Sequence, residues 1–308
     1  MAHVTFVHGI ANKPEAAKLH EIWLRRLAQG GLNLQDEGVT TRLVYWADVL
    51  YAEPDPDVAS HESTADDQIP EAMSGPLTPA PQTPEERTFL EGLRSQMTAA
   101  TPGSAPQGGA PEQDTAMLMP LERFPIPWVV KERFLDTYLR DVHHYMFDVS
   151  FSPRAGETYR VQQEIRRRFI EAMSDPRITA PHIVISHSMG TVIAYDCLKR
   201  VGDCAPVDGM ITMGSPLGID EVQDKLRPEW RRHDGFPSAI LRGDWINVAD
   251  RLDVVCGLDP RLANDYRRAG ETVVEDHFVS NNGWWRHDLT QYLRQPTLQA
   301  ALRRLLKI

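Results

Sequence analysis

PHIVISHSMGTVIAYDCL, residues 181–198, carries three structural signals in a row. From His182 to Ile185 runs a short, continuous stretch rich in β-branched side chains, the pattern of a parallel strand buried on both faces. From Thr191 to Leu198, the residues Val192, Ile193, Ala194, Tyr195 and Leu198 fall at helical spacing and can pack a helix back onto a sheet. Between them Ser186-His187-Ser188-Met189-Gly190 must turn the chain tightly, with Ser188 at the apex. A serine so placed is lifted clear of the sheet. The helix that follows aims the free N–H groups of its first turn at the same point.

The pentapeptide resembles the nucleophile elbow of the α/β-hydrolase family, G-x-S-x-G, with Ser186 in place of the first glycine. Strand and helix nearly touch in such an elbow, so the residues two before and two after the serine must be small, which Ser186 and Gly190 are. The resemblance implies an α/β-hydrolase fold: a mostly parallel central sheet with helices on both faces and an inserted lid or cap. It also implies that Ser188 is a nucleophile and that the N–H of Met189 helps to hold an oxyanion.

Composition sets the frame for this reading. A chain of 308 residues with 42% hydrophobic content can bury one large core and carry an insertion. Its 33 basic against 43 acidic residues give a formal charge of -10, which disfavours nucleic acid and anionic membranes as partners and suits an uncharged substrate. Cys197, Cys204 and Cys256 have no metal-ligand spacing and are odd in number, as expected of reduced thiols. The expectation is no metal and no cofactor. The opening MAHVTFVHGI lacks a basic leader, and no apolar run is long enough to span a bilayer, so the expected location is cytoplasmic.

Before the elbow, residues 3–7 form a β-rich run that ends in His8-Gly9-Ile10. In the family resembled, a strand followed by His-Gly supplies a second oxyanion donor after the glycine, which implies the N–H of Ile10, with Gly9 lining the site. Residues 14–29 pattern as a helix and 40–46 as a strand. Residues 53–116 then hold ten of the 23 prolines and little apolar periodicity, reading as a long and partly disordered insertion. Within it Thr83-Pro84-Glu85-Glu86 is a capping box, followed by Phe89, Leu90, Leu93 and Met97 on one helical face. Order is expected to return with the apolar residues 117–128. A helix over 127–147 follows, with Phe134, Leu135, Tyr138, Val142, Tyr145 and Met146 on one side, fitting either an apolar cap or buried core. The domain reading is therefore residues 1–52 and 148–308 as the core and 53–147 as the insertion. Residues 53–127 offer a surface for a protein partner.

Downstream, residues 157–173 pattern as a helix and 207–213 as a strand ending in Gly214-Ser215-Pro216-Leu217. Such a turn lines the site in lipase-like hydrolases, which implies substrate-binding roles for Ser215, Pro216 and Leu217. Residues 243–248 are the next strand, with Asp250 and Asp253 in the loop after it, and 272–274 the last. A triad in this family runs serine, acid, histidine. Its Asp-x-x-Asp pattern implies Asp253 as the acid with Asp250 as the alternative. Of the eleven histidines, His277 and His287 lie downstream. The context His-x-x-x-x-Tyr favours His287. The resulting expectation is a lipase- or esterase-like serine hydrolase acting on a hydrophobic acyl ester or lipid. A thioesterase or amidase could use the same triad. The rival from another class is an interaction protein on a disused hydrolase scaffold, which a missing nucleophile, acid or histidine would betray; none is missing.

Overall fold

A computed structural model describes residues 2–58, 81–98, 128–226, 234–283 and 285–308. The expectations for residues 59–80, for most of 99–128 and for a partner surface there lie outside the described residues. The strands are β1 (His3–Val7), β2 (Thr40–Val44), β3 (Ser150–Arg154), β4 (Glu157–Arg160), β5 (His182–His187), β6 (Val207–Met213), β7 (Leu241–Asp250) and β8 (Val274–Val279). The helices are α1 (Ala16–Gln29), α2 (Pro84–Thr98), α3 (Trp128–Met146), α4 (Val161–Met173), α5 (Met189–Arg200), α6 (Asp220–Leu226), α7 (Leu289–Arg294) and α8 (Pro296–Leu306). Six strands form one sheet in the order β2-β1-β5-β6-β7-β8, every pairing parallel. This is the α/β sheet expected from the elbow, with the Ser188 turn between β5 and α5 near its middle.

Alternation along the strands divides the core in two. Val4, Phe6, Ile183, Ile185, Ile211, Met213, Ile246 and Val248 pack against α1, α7 and α8 on one face. Val7, Val184, Met210 and Trp245 pack against α2, α3, α4 and α5 on the other. Helices thus cover both faces, as a parallel sheet requires. One arm of the capping box at the start of α2 is formed, with Thr83 Oγ1 accepting from the Glu86 N–H, while Glu86 Oε2 reaches one residue further back and accepts from the Gln82 N–H. Phe134, Leu135, Tyr138, Val142, Tyr145 and Met146 of α3 are all buried in the core shared with α5.

Two local expectations are corrected. Residues 157–160 are a strand rather than the first turn of a helix, paired with β3 in an antiparallel hairpin that turns at Gly156 with φ +82°. The last strand is Val274–Val279 instead of 272–274. It lies at the sheet edge with half-exposed side chains, so it lacks the continuous apolar run that marks an interior parallel strand. After β8 the chain ends in two helices, because Pro296 cannot continue the first and instead starts the second.

The start of the sheet buries a histidine pair. His3 and His182 meet edge to face at 5.1 Å, and Thr40 and Thr5 hydroxyls bond one ring nitrogen of each. Burial pushes both imidazoles down to about 4 from the ordinary 6.5. The folded state therefore holds them neutral while the unfolded chain takes up protons below pH 6.5. Stability is full above that value and falls as pH drops from 6.5 toward 4, by at most about 1.4 kcal/mol per unit for each histidine. Urea unfolding between pH 7.5 and 4.5 measures this slope. His3→Gln together with His182→Gln is expected to flatten it, and an unchanged slope would assign the acid sensitivity elsewhere.

Candidate active site

The elbow is built as its residues require. Ser188 has φ 55° and ψ −132°, a region that non-glycine residues rarely adopt, held by its N–H on Met213 O and by Thr191 on its carbonyl. Gly190 lies against β1: a Cβ there would sit 2.4 Å from Val7 O and 2.5 Å from His8 O. Gly9 comes equally close, since its Cβ would meet Ser188 Cβ at 2.7 Å. Ser186, between Val7 and Thr212 in the sheet, is completely buried.

Ser188, His287 and Asp253 come together although 99 residues separate the first two in sequence. His287 Nε2 lies 2.9 Å from Ser188 Oγ, and His287 Nδ1 lies 2.8 Å from both carboxylate oxygens of Asp253. The carboxylate can only accept, so the proton belongs on Nδ1 and Nε2 is left to accept from the serine hydroxyl. Asp253 is fully buried. Burial alone would raise its carboxyl, but the His287 charge and hydrogen bonds from His287, Tyr292 and the Val255 N–H outweigh that and hold it below the ordinary value.

Asp250 does not reach the imidazole. Its oxygens accept from the N–H groups of Leu252 and Asn281 and from Arg286, so it fixes both ends of the 281–287 loop that carries His287. His277 lies within β8, half-exposed and 3.3 Å from Glu275. It is neither in a loop nor beside Ser188. His187 and His8 bear on the site indirectly. The His187 ring packs 4.7 Å from that of His287 and bonds the His287 carbonyl. Burial, helped by the His287 charge, keeps His187 neutral, far below its ordinary value. His8 Nε2 accepts from the Trp46 N–H, so His8 Nδ1 donates to Gly9 O and holds the loop after β1.

The Met189 N–H opens α5 beside Ser188, and Ile10 follows the glycine that touches it. Among the described residues neither N–H has a hydrogen-bond acceptor. Ser215 is buried, and its hydroxyl is engaged by Thr191 Oγ1 at 2.8 Å and by the Leu217 N–H at 3.2 Å, joining the elbow helix to the turn. Pro216 and Leu217 are buried in that turn.

Two contributors carried weaker sequence signals. Tyr292 donates to Asp253 Oδ2 at 2.7 Å and accepts from the Asp250 N–H, joining both aspartates; its spacing of five from His287 was the visible trace. Gly214, at φ +53°, packs where a Cβ would meet Asp253 Oδ2 at 3.0 Å and the His287 ring at 3.1 Å. The glycine itself, in the turn after β6, was its trace in the sequence. Phe134 of α3 and Trp285 wall the imidazole, their ring centres 6.0 and 6.3 Å from it.

Among the described residues no group of three or more His, Cys, Asp or Glu could hold a metal, and no helix is long and apolar enough to cross a membrane. No protein-family model matches the chain, and no curated protein does. Among solved structures it is similar to the ydeN gene product from B. subtilis, at 10% identity and a TM-score of 0.39 with all of both chains covered. It is also similar to acetyl xylan esterase 1 from Thermoanaerobacterium sp., at 11% identity and a TM-score of 0.34, covering all of this chain and 74% of the other.

Proposed function

We propose that the protein is a serine hydrolase of carboxylic esters that works through an acyl-enzyme. The observation that carries this reading is the continuous hydrogen-bonded path from Ser188 through His287 to Asp253. Ser188 Oγ bonds to the ester carbonyl carbon as its proton passes to His287 Nε2. The N–H groups of Met189 and Ile10 hold the oxyanion, and Asp253 stabilises the imidazolium. As the tetrahedral intermediate collapses, the C–O bond breaks and His287 gives its proton to the departing alcohol. Water then repeats the sequence on the acyl-Ser188 ester, releasing acid and restoring the serine.

The apolar wall of Phe134 and Trp285 supports a hydrophobic acyl or alkyl group beside His287. Gly9 and the turn of Ser215, Pro216 and Leu217 are proposed to bound the substrate on the elbow side, and the insertion to serve as its cap.

A fluorophosphonate probe tests the assignment, because it reacts only with an activated serine. The expected result is one adduct, mapped by mass spectrometry to the peptide carrying Ser188, with hydrolysis of short p-nitrophenyl esters lost in proportion to labelling. An unlabelled folded protein, or an adduct on Ser215, would remove the proposal.

A further inference from the structure

The loop after β1 owes its shape to more than its own sequence. Ala11 has φ 70°, unfavourable for a residue with a Cβ, and so must be held there. Its N–H donates to Asp141 Oδ2 on α3 at 2.9 Å, across 130 residues of chain. The Ile10 carbonyl belongs to the same peptide plane and accepts from the Lys13 ammonium. One plane is therefore pinned at both ends, by a carboxylate on its N–H and by an ammonium on its C=O.

Asp141 is itself fixed. It is completely buried, with Arg140 donating to Oδ1 through Nε at 2.9 Å and Nη2 at 2.6 Å, and the Tyr51 hydroxyl donating to Oδ2 at 3.1 Å. The Arg140 guanidinium stacks 4.5 Å over the Tyr51 ring.

We propose that Asp141, with Lys13, is a positioning residue that sets the direction of the Ile10 N–H as oxyanion donor. This makes helix α3 a working part of the site, and it rests on the hydrolase reading above. Loss of the clamp frees the Ile10–Ala11 plane to rotate and lets Ala11 return to negative φ. The Ile10 backbone angles change with that rotation, and the donor swings away from the point where charge develops. Binding of the ground-state ester, which does not need that donor, is left alone.

Asp141→Leu is the direct test, but it strands Arg140 as a buried charge and could unfold the chain. Arg140→Met with Asp141→Leu removes both charges together and serves as the second variant. Asp141→Asn keeps an acceptor for Ala11 and is the conservative rescue. For each, thermal melting is recorded, active sites are titrated with the fluorophosphonate probe, and kcat per titrated site and KM are measured on p-nitrophenyl acetate.

The expected result is a fall of about 10- to 100-fold in kcat per site for the double variant, below the full loss of an oxyanion donor. KM should stay unchanged and Asp141→Asn should recover most of the rate. Lys13→Met should fall in the same direction. If the folded double variant keeps kcat per site within about twofold of the parent, Asp141 is only a stability element and the inference fails while the hydrolase reading stands. A parent protein that takes no label at Ser188 ends both.

Discussion

Replacing Asp253 by asparagine is expected to lower ester turnover by about four orders of magnitude while the protein stays folded. The imidazole is held by a carboxylate that accepts at Nδ1 with both oxygens, 2.8 Å each. An amide presents a donor on one side, so His287 can turn its tautomer over, leaving a proton on Nε2 where Ser188 needs an acceptor. With the amide oxygen in the Oδ1 position the Val255 N–H keeps its acceptor, and the Tyr292 hydroxyl, now facing the amide NH2, can accept from it instead, which preserves the fold around the change. Asp250→Asn is the comparison. It keeps an acceptor for Leu252 or Asn281 and touches no reacting group, so it should cost much less and act through the placing of the 281–287 loop. Initial rates on a p-nitrophenyl ester decide the matter: equal losses in the two variants would reassign the acid.

The second large effect is expected from Gly190→Ala. The added methyl would lie 2.4 and 2.5 Å from two carbonyl oxygens of the main chain, those of Val7 and His8. Neither can rotate aside as a side chain would, because Val7 ends β1, which is bonded on both flanks to β2 and β5, and the His8 carbonyl accepts from Trp46 Nε1. Strand and helix must separate, at a cost of about 3 kcal/mol. The same displacement pulls the Gly9–Ile10 loop from Ser188. Both the urea midpoint and Ser188 labelling should therefore fall. An alanine variant with the parent's midpoint and labelling would mean that the elbow has slack that these contacts deny.

The two residues that flank the elbow illustrate what one sequence discloses. Gly190 and Ser186 were legible because a strand–turn–helix packed this closely admits only small side chains at those places, a local steric rule. The parallel sheet was legible in the same way, through apolar runs at β1, β5 and β6. Edge strand β8 was misplaced because its sequence VEDHFV is half in water and carries no such run. Strand β4 was absorbed into the following helix, although Ala155-Gly156 marks the hairpin turn before it. Asp253 and His287 came from chain order and resemblance. What fixes them, Tyr292, Gly214 and the ring of His187, depends on contacts between segments far apart in the chain. Asp141 was hidden for the same reason: on paper it is one more charge on a helix of the insertion, and only the fold brings it to the main chain at Ala11.

The order in which the parts are made adds something else. Ser188 emerges from the ribosome 99 residues ahead of His287, with Tyr292 later still. Until that last stretch docks, the serine at the elbow is an ordinary alcohol with no base beside it. On the proposed hydrolase reading, the growing polypeptide is chemically silent toward esters, and reactivity arrives only when the segment carrying His287 docks against the elbow.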